Sequence, residues 1–137
     1  QFNQEHEVKP VYTELTMFNR EVGYAGTADG IWEIDGDLSL IDIKTSRSHW
    51  PEHDMQLSAL KHCTEWVSRV SEGQWKSIKP LPVKKLAIIH LRSDLHNLIP
   101  LEDELVDPAW WAFQGYKMAF DAASVRRQHE KKKYGEF

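Results

Sequence analysis

Cysteine is nearly absent from this chain. With Cys63 alone, neither an internal disulfide nor a cysteine-based metal cluster can form within its 137 residues. Long apolar runs are missing too. None approaches the length that crosses a bilayer, and no secretory pattern opens the chain, so a cytoplasmic domain without a membrane partner is expected. Positive charge is not in excess. The net charge of −4 lacks the overall electrostatic footprint of a general nucleic-acid binder. There is no internal repeat and no low-complexity segment. The chain opens on Gln1 rather than Met, and a missing upstream segment is expected.

What is present fits one domain: 137 residues with 41% hydrophobic content, including six tryptophans able to build much of a core. Residues 8–18 and 24–34 read as strands from partial alternation and β-compatible residues. Asp35-Gly36 is a strong hairpin signal, because both positions tolerate positive φ. A third strand over 38–44 completes an antiparallel meander. Pro51 suits a first helical position, and Glu52 and Asp54 suit the positive helix N-terminus. Gln56, Leu60, Cys63, Val67 and Val70 then recur at helical spacing, with Gly73 as the expected stop. After a loop at Pro80 and Pro82, residues 84–92 read as a buried strand, and 97–101 as a short partner. Asp107-Pro108 is expected to open a last helix with the stripe Ala109, Phe113, Tyr116, Phe120 and Ala123. The expected order is β-β-β-α-β-β-α, an α/β domain with a mixed central sheet flanked by helices.

The chemistry concentrates in Gly26-Thr27-Ala28-Asp29-Gly30 and Ile41-Asp42-Ile43-Lys44-Thr45. Asp42 and Lys44 share one face of the third strand, behind Leu38 and Leu40. A hairpin centred on Asp35-Gly36 pairs Asp42 with Asp29, so two carboxylates converge from different strands. If that face is buried, the charges must be paired or bind a metal. Mg²⁺ takes oxygen ligands and typically rests on one or two carboxylates plus phosphate and water. Asp29, Asp42 and the Ile43 carbonyl would supply such a set, with Glu14 on the first strand as an additional ligand. Lys44 would orient water, stabilise charge developing on phosphorus, or act as a base where a nearby metal leaves a fraction of it neutral. An isolated Asp-x-Lys is more often a solvated surface pair. Here Asp29 in register, the polar exit Thr45-Ser46 and Gln56 on the helix's apolar face coincide with it.

Together, Gly-Thr-Ala-Asp, Ile-Asp-Ile-Lys-Thr-Ser and Gln-Leu-Ser-Ala-Leu resemble the PD-(D/E)XK nuclease superfamily in its RecB-like exonuclease branch. The motifs carry the resemblance from residue 8 to about residue 70, and architecture alone carries it beyond. It implies a restriction-endonuclease-like core with Asp29 and Asp42 as metal-binding acids. Lys44 is then the catalytic lysine, Gln56 the helix glutamine and Glu14 a supporting acid. It also implies DNA as substrate, Mg²⁺ or Mn²⁺ as cofactor, and a role in recombination, repair or phage DNA metabolism. The setting would be a bacterial cell or a phage-infected host. Ala28 stands where the superfamily name has Pro, and Leu60 where a Tyr often follows the glutamine. The upstream helix of many relatives, with its His or Glu, is expected to be absent from this stretch of sequence. The iron–sulfur cluster of some relatives is excluded by the single cysteine.

Thr45, Ser46, Arg47 and His53 lie where substrate would pass. Arg126 and Arg127 belong to a basic C-terminal cluster, with a solvated helix end as the plainer explanation. Trp50 would be a stacking platform or a packing residue, and His49 an exposed loop residue. His90 reads as a satisfied core histidine, Cys63 as an inert core thiol, and Trp110 and Trp111 as anchors of the last helix. Two other functions stay open: a catalytically silent nuclease-like domain that binds DNA or scaffolds a complex, and an interaction domain whose hairpin charges are incidental. Exo- against endonucleolytic action, polarity and oligomeric state are not legible.

Overall fold

The computed structural model describes residues 6–45, 51–91 and 96–135. Strands β1 (Val8–Asn19), β2 (Tyr24–Ile34) and β3 (Asp37–Lys44) form the expected meander. Its second turn works as read: Asp35 and Gly36 have φ of 51° and 87°, the mirror-image turn that matches strand twist. Asp35 also ties down the N-terminal segment by accepting from the Glu7 amide and contacting the His6 ring. Both bonds hold its carboxyl below the usual range.

Helix α1 (Pro51–Lys61) starts where expected and stops twelve residues before Gly73. The segment read as its continuation is a hairpin of β4 (Glu65–Ser71) and β5 (Gln74–Ile78), turned at Gly73 with φ 76°. The cause is tertiary. Val67 and Trp66 pair with Thr16 and Met17 on the open edge of β1, and the β-branched residues suit that ladder. Helical spacing at Val67 and Val70 was coincidental. The loop at Pro80 and Pro82 leads into β6 (Lys85–Leu91), and β7 (His96–Leu101) pairs with it antiparallel. Among the described residues the order is therefore β-β-β-α-β-β-β-β-α, two strands more than expected, in one sheet ordered β5-β4-β1-β2-β3-β6-β7. Among the described residues only β3 and β6 run parallel.

The last helix, α2 (Asp103–Tyr134), opens four residues before Asp107. Acidic Asp103 and Glu104 favour that start, so Pro108 lies inside the helix and leaves the Glu104 carbonyl without its helical donor. The expected stripe is only partly used. Val106 and Ala109 are buried, whereas Tyr116 and Phe120 are 66% and 55% exposed. Both helices feed a single core, in which Leu57, Leu60 and Val106 meet Leu15, Met17, Ala28, Leu40, Leu86 and Ile88. A second cluster on the other face, around Ile34, Ile41, Ala87 and Ile89, is built entirely from strands. The described helices thus cover one face and do not flank the sheet. No helix among the described residues is long and apolar enough to cross a membrane.

The two helices are joined by the Ser58 hydroxyl, which donates to the Val106 carbonyl, and by Trp110, whose ring stacks on His62 at 4.0 Å. Trp111, expected as a second anchor, is 66% exposed. Trp110→Ala should therefore destabilise the fold by about 2 kcal/mol, roughly half the loss for a fully buried aromatic. Trp111→Ala should cost no more than about 0.5 kcal/mol. Urea unfolding of the two variants measures the difference.

Candidate metal and phosphate site

The backbone irregularity that builds the site lies in β1 and β2. Tyr12 and Leu15 face the same core, as do Ala28 and Ile31. Strict alternation puts residues three apart on opposite faces, so both strands turn locally between these positions. On β1 the turn is visible at Glu14, whose φ of 53° lies in the left-handed region that side chains disfavour. Glu14 falls between the pairs Thr13–Gly30 and Leu15–Ala28, opposite Asp29 in register, with its side chain exposed.

The pairing of β2 with β3 follows the expected register and ends at Gly30–Ile41. Beyond it, the Ile43 amide donates to Asp29 Oδ2 at 2.6 Å. That bond commits one oxygen of Asp29. Asp42 is buried beside it, at 3% exposure. Loss of water pushes the Asp42 carboxyl up, Lys44 pulls it down, and the neighbouring Asp29 carboxylate pushes it up again, for a net rise. The Lys44 ammonium lies 3.1 Å from Asp42 Oδ2. It is the counter-charge of this buried oxygen, which no other donor reaches. Lys44 does donate to Gln56 Oε1, also at 3.1 Å.

Asp29, Asp42, Lys44 and Gln56 are thus brought together as the sequence indicates, from β2, the end of β3 and α1. Gln56 differs in one respect. It is exposed rather than buried on the apolar face, because α1 turns Leu57 and Leu60 to the core instead. Among the described residues no group of three or more His, Cys, Asp and Glu side chains is placed to hold a metal, so Glu14 does not complete such a cluster. Ile43 is half-buried at the strand end, and Thr45 is exposed just beyond it. Ser46, Arg47, His49 and Trp50 lie outside the described residues. His53 sits half-buried in the first turn of α1. Arg126 and Arg127 lie on the exposed second half of α2, bonded along the helix to Glu130 and Ser124.

Two features were not legible in the sequence. His90 is buried, but its Nε2 has no partner, contrary to a satisfied core histidine. A cleft of about 740 Å³ lies between Tyr24–Gly26, α1 and the Phe113–Tyr116 stretch of α2, with Gln56 on its wall. It arises from the placement of α2, which no local signal encodes. Cys63 is the inert thiol expected, with burial raising its pKa to about 11. No family model matches the chain.

The raised pKa of Asp42 has a testable sign. Its stability contribution is fully present below the ordinary carboxylate pKa and is lost as pH rises through the folded-state value. Ionised Asp42 therefore destabilises the metal-free fold at neutral pH. Asp42→Asn should melt above the wild type at pH 7 without divalent metal. The gap should shrink as pH is lowered, because the folded-state carboxyl takes up its proton before the unfolded one does. Thermal melts from pH 7 downward give the comparison.

Proposed function

We propose that this chain is a Mg²⁺- or Mn²⁺-dependent nuclease of the PD-(D/E)XK kind, hydrolysing phosphodiester bonds in DNA and acting as an exonuclease in recombination, repair or phage DNA metabolism. The convergence of Asp29, Asp42, Lys44 and Gln56 carries the reading: Lys44 Nζ lies 3.1 Å from both Asp42 Oδ2 and Gln56 Oε1. The donor set suits a hard cation. Asp42 Oδ2 is buried, meets no donor besides the Lys44 ammonium, and lies next to a second carboxylate, and Mg²⁺ characteristically uses one or two carboxylates with substrate phosphate and water.

In this reading Asp29 and Asp42 would hold the ion with the Ile43 carbonyl, and Glu14, exposed on β1 and no member of a three-acid cluster, would reach it only through water. When bound, the ion supplies Lewis-acid polarisation of the phosphoryl group and the leaving oxygen. The Ile43 amide fixes the rotamer of Asp29 and keeps its second oxygen turned to the site. Gln56 holds the Lys44 ammonium on the site side of α1. From there Lys44 orients the attacking water and stabilises charge on the phosphoryl oxygens as they pass through the transition state. Thr45, at the exit of β3, and His53, in the first turn of α1, would contact the strand being cut; the same role is expected of Ser46 and Arg47 from the sequence alone. Arg126 and Arg127 would add phosphate contacts only if they exchange their partners along the helix.

A second reading, a catalytically silent nuclease-like domain that binds DNA or scaffolds a complex, draws support from one observation. No third acid joins Asp29 and Asp42 among the described residues. Incubation with linear and circular, single- and double-stranded DNA, with Mn²⁺ or EDTA, separates the two. The nuclease reading expects metal-dependent cleavage of linear DNA that falls about 100-fold or more in Lys44→Ala. DNA binding without cleavage by the folded protein would favour the silent domain.

A further inference from the structure

His90 ends the parallel strand beside Lys44. The ladder between β3 and β6 pairs Leu40 with Leu86, Asp42 with Ile88 and Lys44 with His90. Leu40, Leu86 and Ile88 all point into the helix-covered core, and alternation carries the same face on to Lys44 and His90. Their backbones are therefore about 5 Å apart, the spacing of neighbouring strands. They lie at the carboxyl end of the sheet's parallel pair, where open α/β sheets bind ligands. His90 is 6% exposed, and its fully buried Nε2 meets no hydrogen-bonding atom. Buried polar atoms are rarely left in this state, and an unsatisfied one calls for an explanation.

Lys44 supplies the complementary need. An ammonium has three protons to donate. Gln56 Oε1 accepts one, and Asp42 Oδ2 lies 3.1 Å away as an ion-pair partner, which leaves a third proton. With a cation held on Asp42, that oxygen would no longer serve as counter-charge to Lys44, and the ammonium would need another partner.

We infer that His90 is a positioning residue for Lys44: its Nε2 accepts from the ammonium when a divalent cation occupies the carboxylates, so that Gln56 and His90 together hold Lys44 toward the phosphate. The inference rests on the nuclease reading above and adds a member to the same site. It requires the neutral imidazole tautomer with its proton on Nδ1, leaving the Nε2 lone pair for Lys44.

Steady-state cleavage by wild type, Lys44→Ala, His90→Leu and His90→Gln, with melting curves for each, tests it. Leucine fills the space without a polar atom, so His90→Leu should melt at or above the wild-type temperature. Its kcat should nevertheless fall about 10- to 100-fold, the range for residues that orient a group at a metal site, with KM little changed. Glutamine carries a carbonyl oxygen near the place of Nε2, so His90→Gln should recover most of the rate. A purely structural histidine would instead lose stability and activity together in His90→Leu. That outcome, or wild-type kcat in His90→Leu alongside a dead Lys44→Ala, overturns the role of His90 and leaves the nuclease reading standing. No metal-dependent cleavage by the wild type overturns the nuclease reading, and the role of His90 with it.

Discussion

The bond from the Ile43 amide to the Asp29 carboxylate is the constraint on which the site depends. It forms where the β2–β3 ladder stops, at Gly30–Ile41. A side chain there satisfies a strand amide, which would be costly to bury without an acceptor. The consequences are geometric. Asp29 is fixed in one rotamer against the end of β3, Asp42 comes to lie beside it, and Lys44 projects one same-face step further. The local turn in β1 and β2, marked by the positive φ of Glu14, accompanies this departure from regular pairing. Strain of this sort is found where a structure holds functional groups in place.

The rest of the fold can be understood as support for that corner. Helices on one face bury Leu57, Leu60 and Val106 against β1, β2, β3 and β6, which anchors the helix carrying Gln56. Packing at Gly26 is tight as well. A β-carbon there would lie 2.9 Å from the Leu60 side chain. Glycine at this point leaves room for the Leu60 side chain of α1 against β2. The strand-built cluster on the opposite face supports β3 and β6 from behind, through Ile41, Ala87 and Ile89. Two adjoining carboxylates at the end of a buried strand raise the energy of the metal-free state. A cation that relieves their repulsion would stabilise the fold by mass action.

The legibility of each feature in the sequence follows the range of the interaction behind it. Asp35-Gly36 declares a turn locally, and the turn fixes the register that aligns Asp29 with Asp42, so the heart of the site could be read directly. Lys44 followed from alternation, and Gln56 from the helix start at Pro51. Residues 65–78 could not be read this way. Their fate is decided by the free edge of β1, which takes Trp66 and Val67 as partners. The stripe on α2 suggested full burial, yet only Val106 and Ala109 are buried, because a 32-residue helix outruns the surface it packs on. His90 looked like a satisfied core residue because its neighbour Lys44 is supplied by a parallel pairing, which no local pattern announces.

The central claim is that Asp29 and Asp42 bind one divalent cation between them. Titration of the protein with Mn²⁺, followed by electron paramagnetic resonance of the unbound ion, measures this without any assumption about catalysis. The account predicts saturable uptake by the wild type that is lost in both Asp29→Asn and Asp42→Asn while each variant remains folded. Uptake that survives in both variants, or no uptake by the folded wild type, would contradict it.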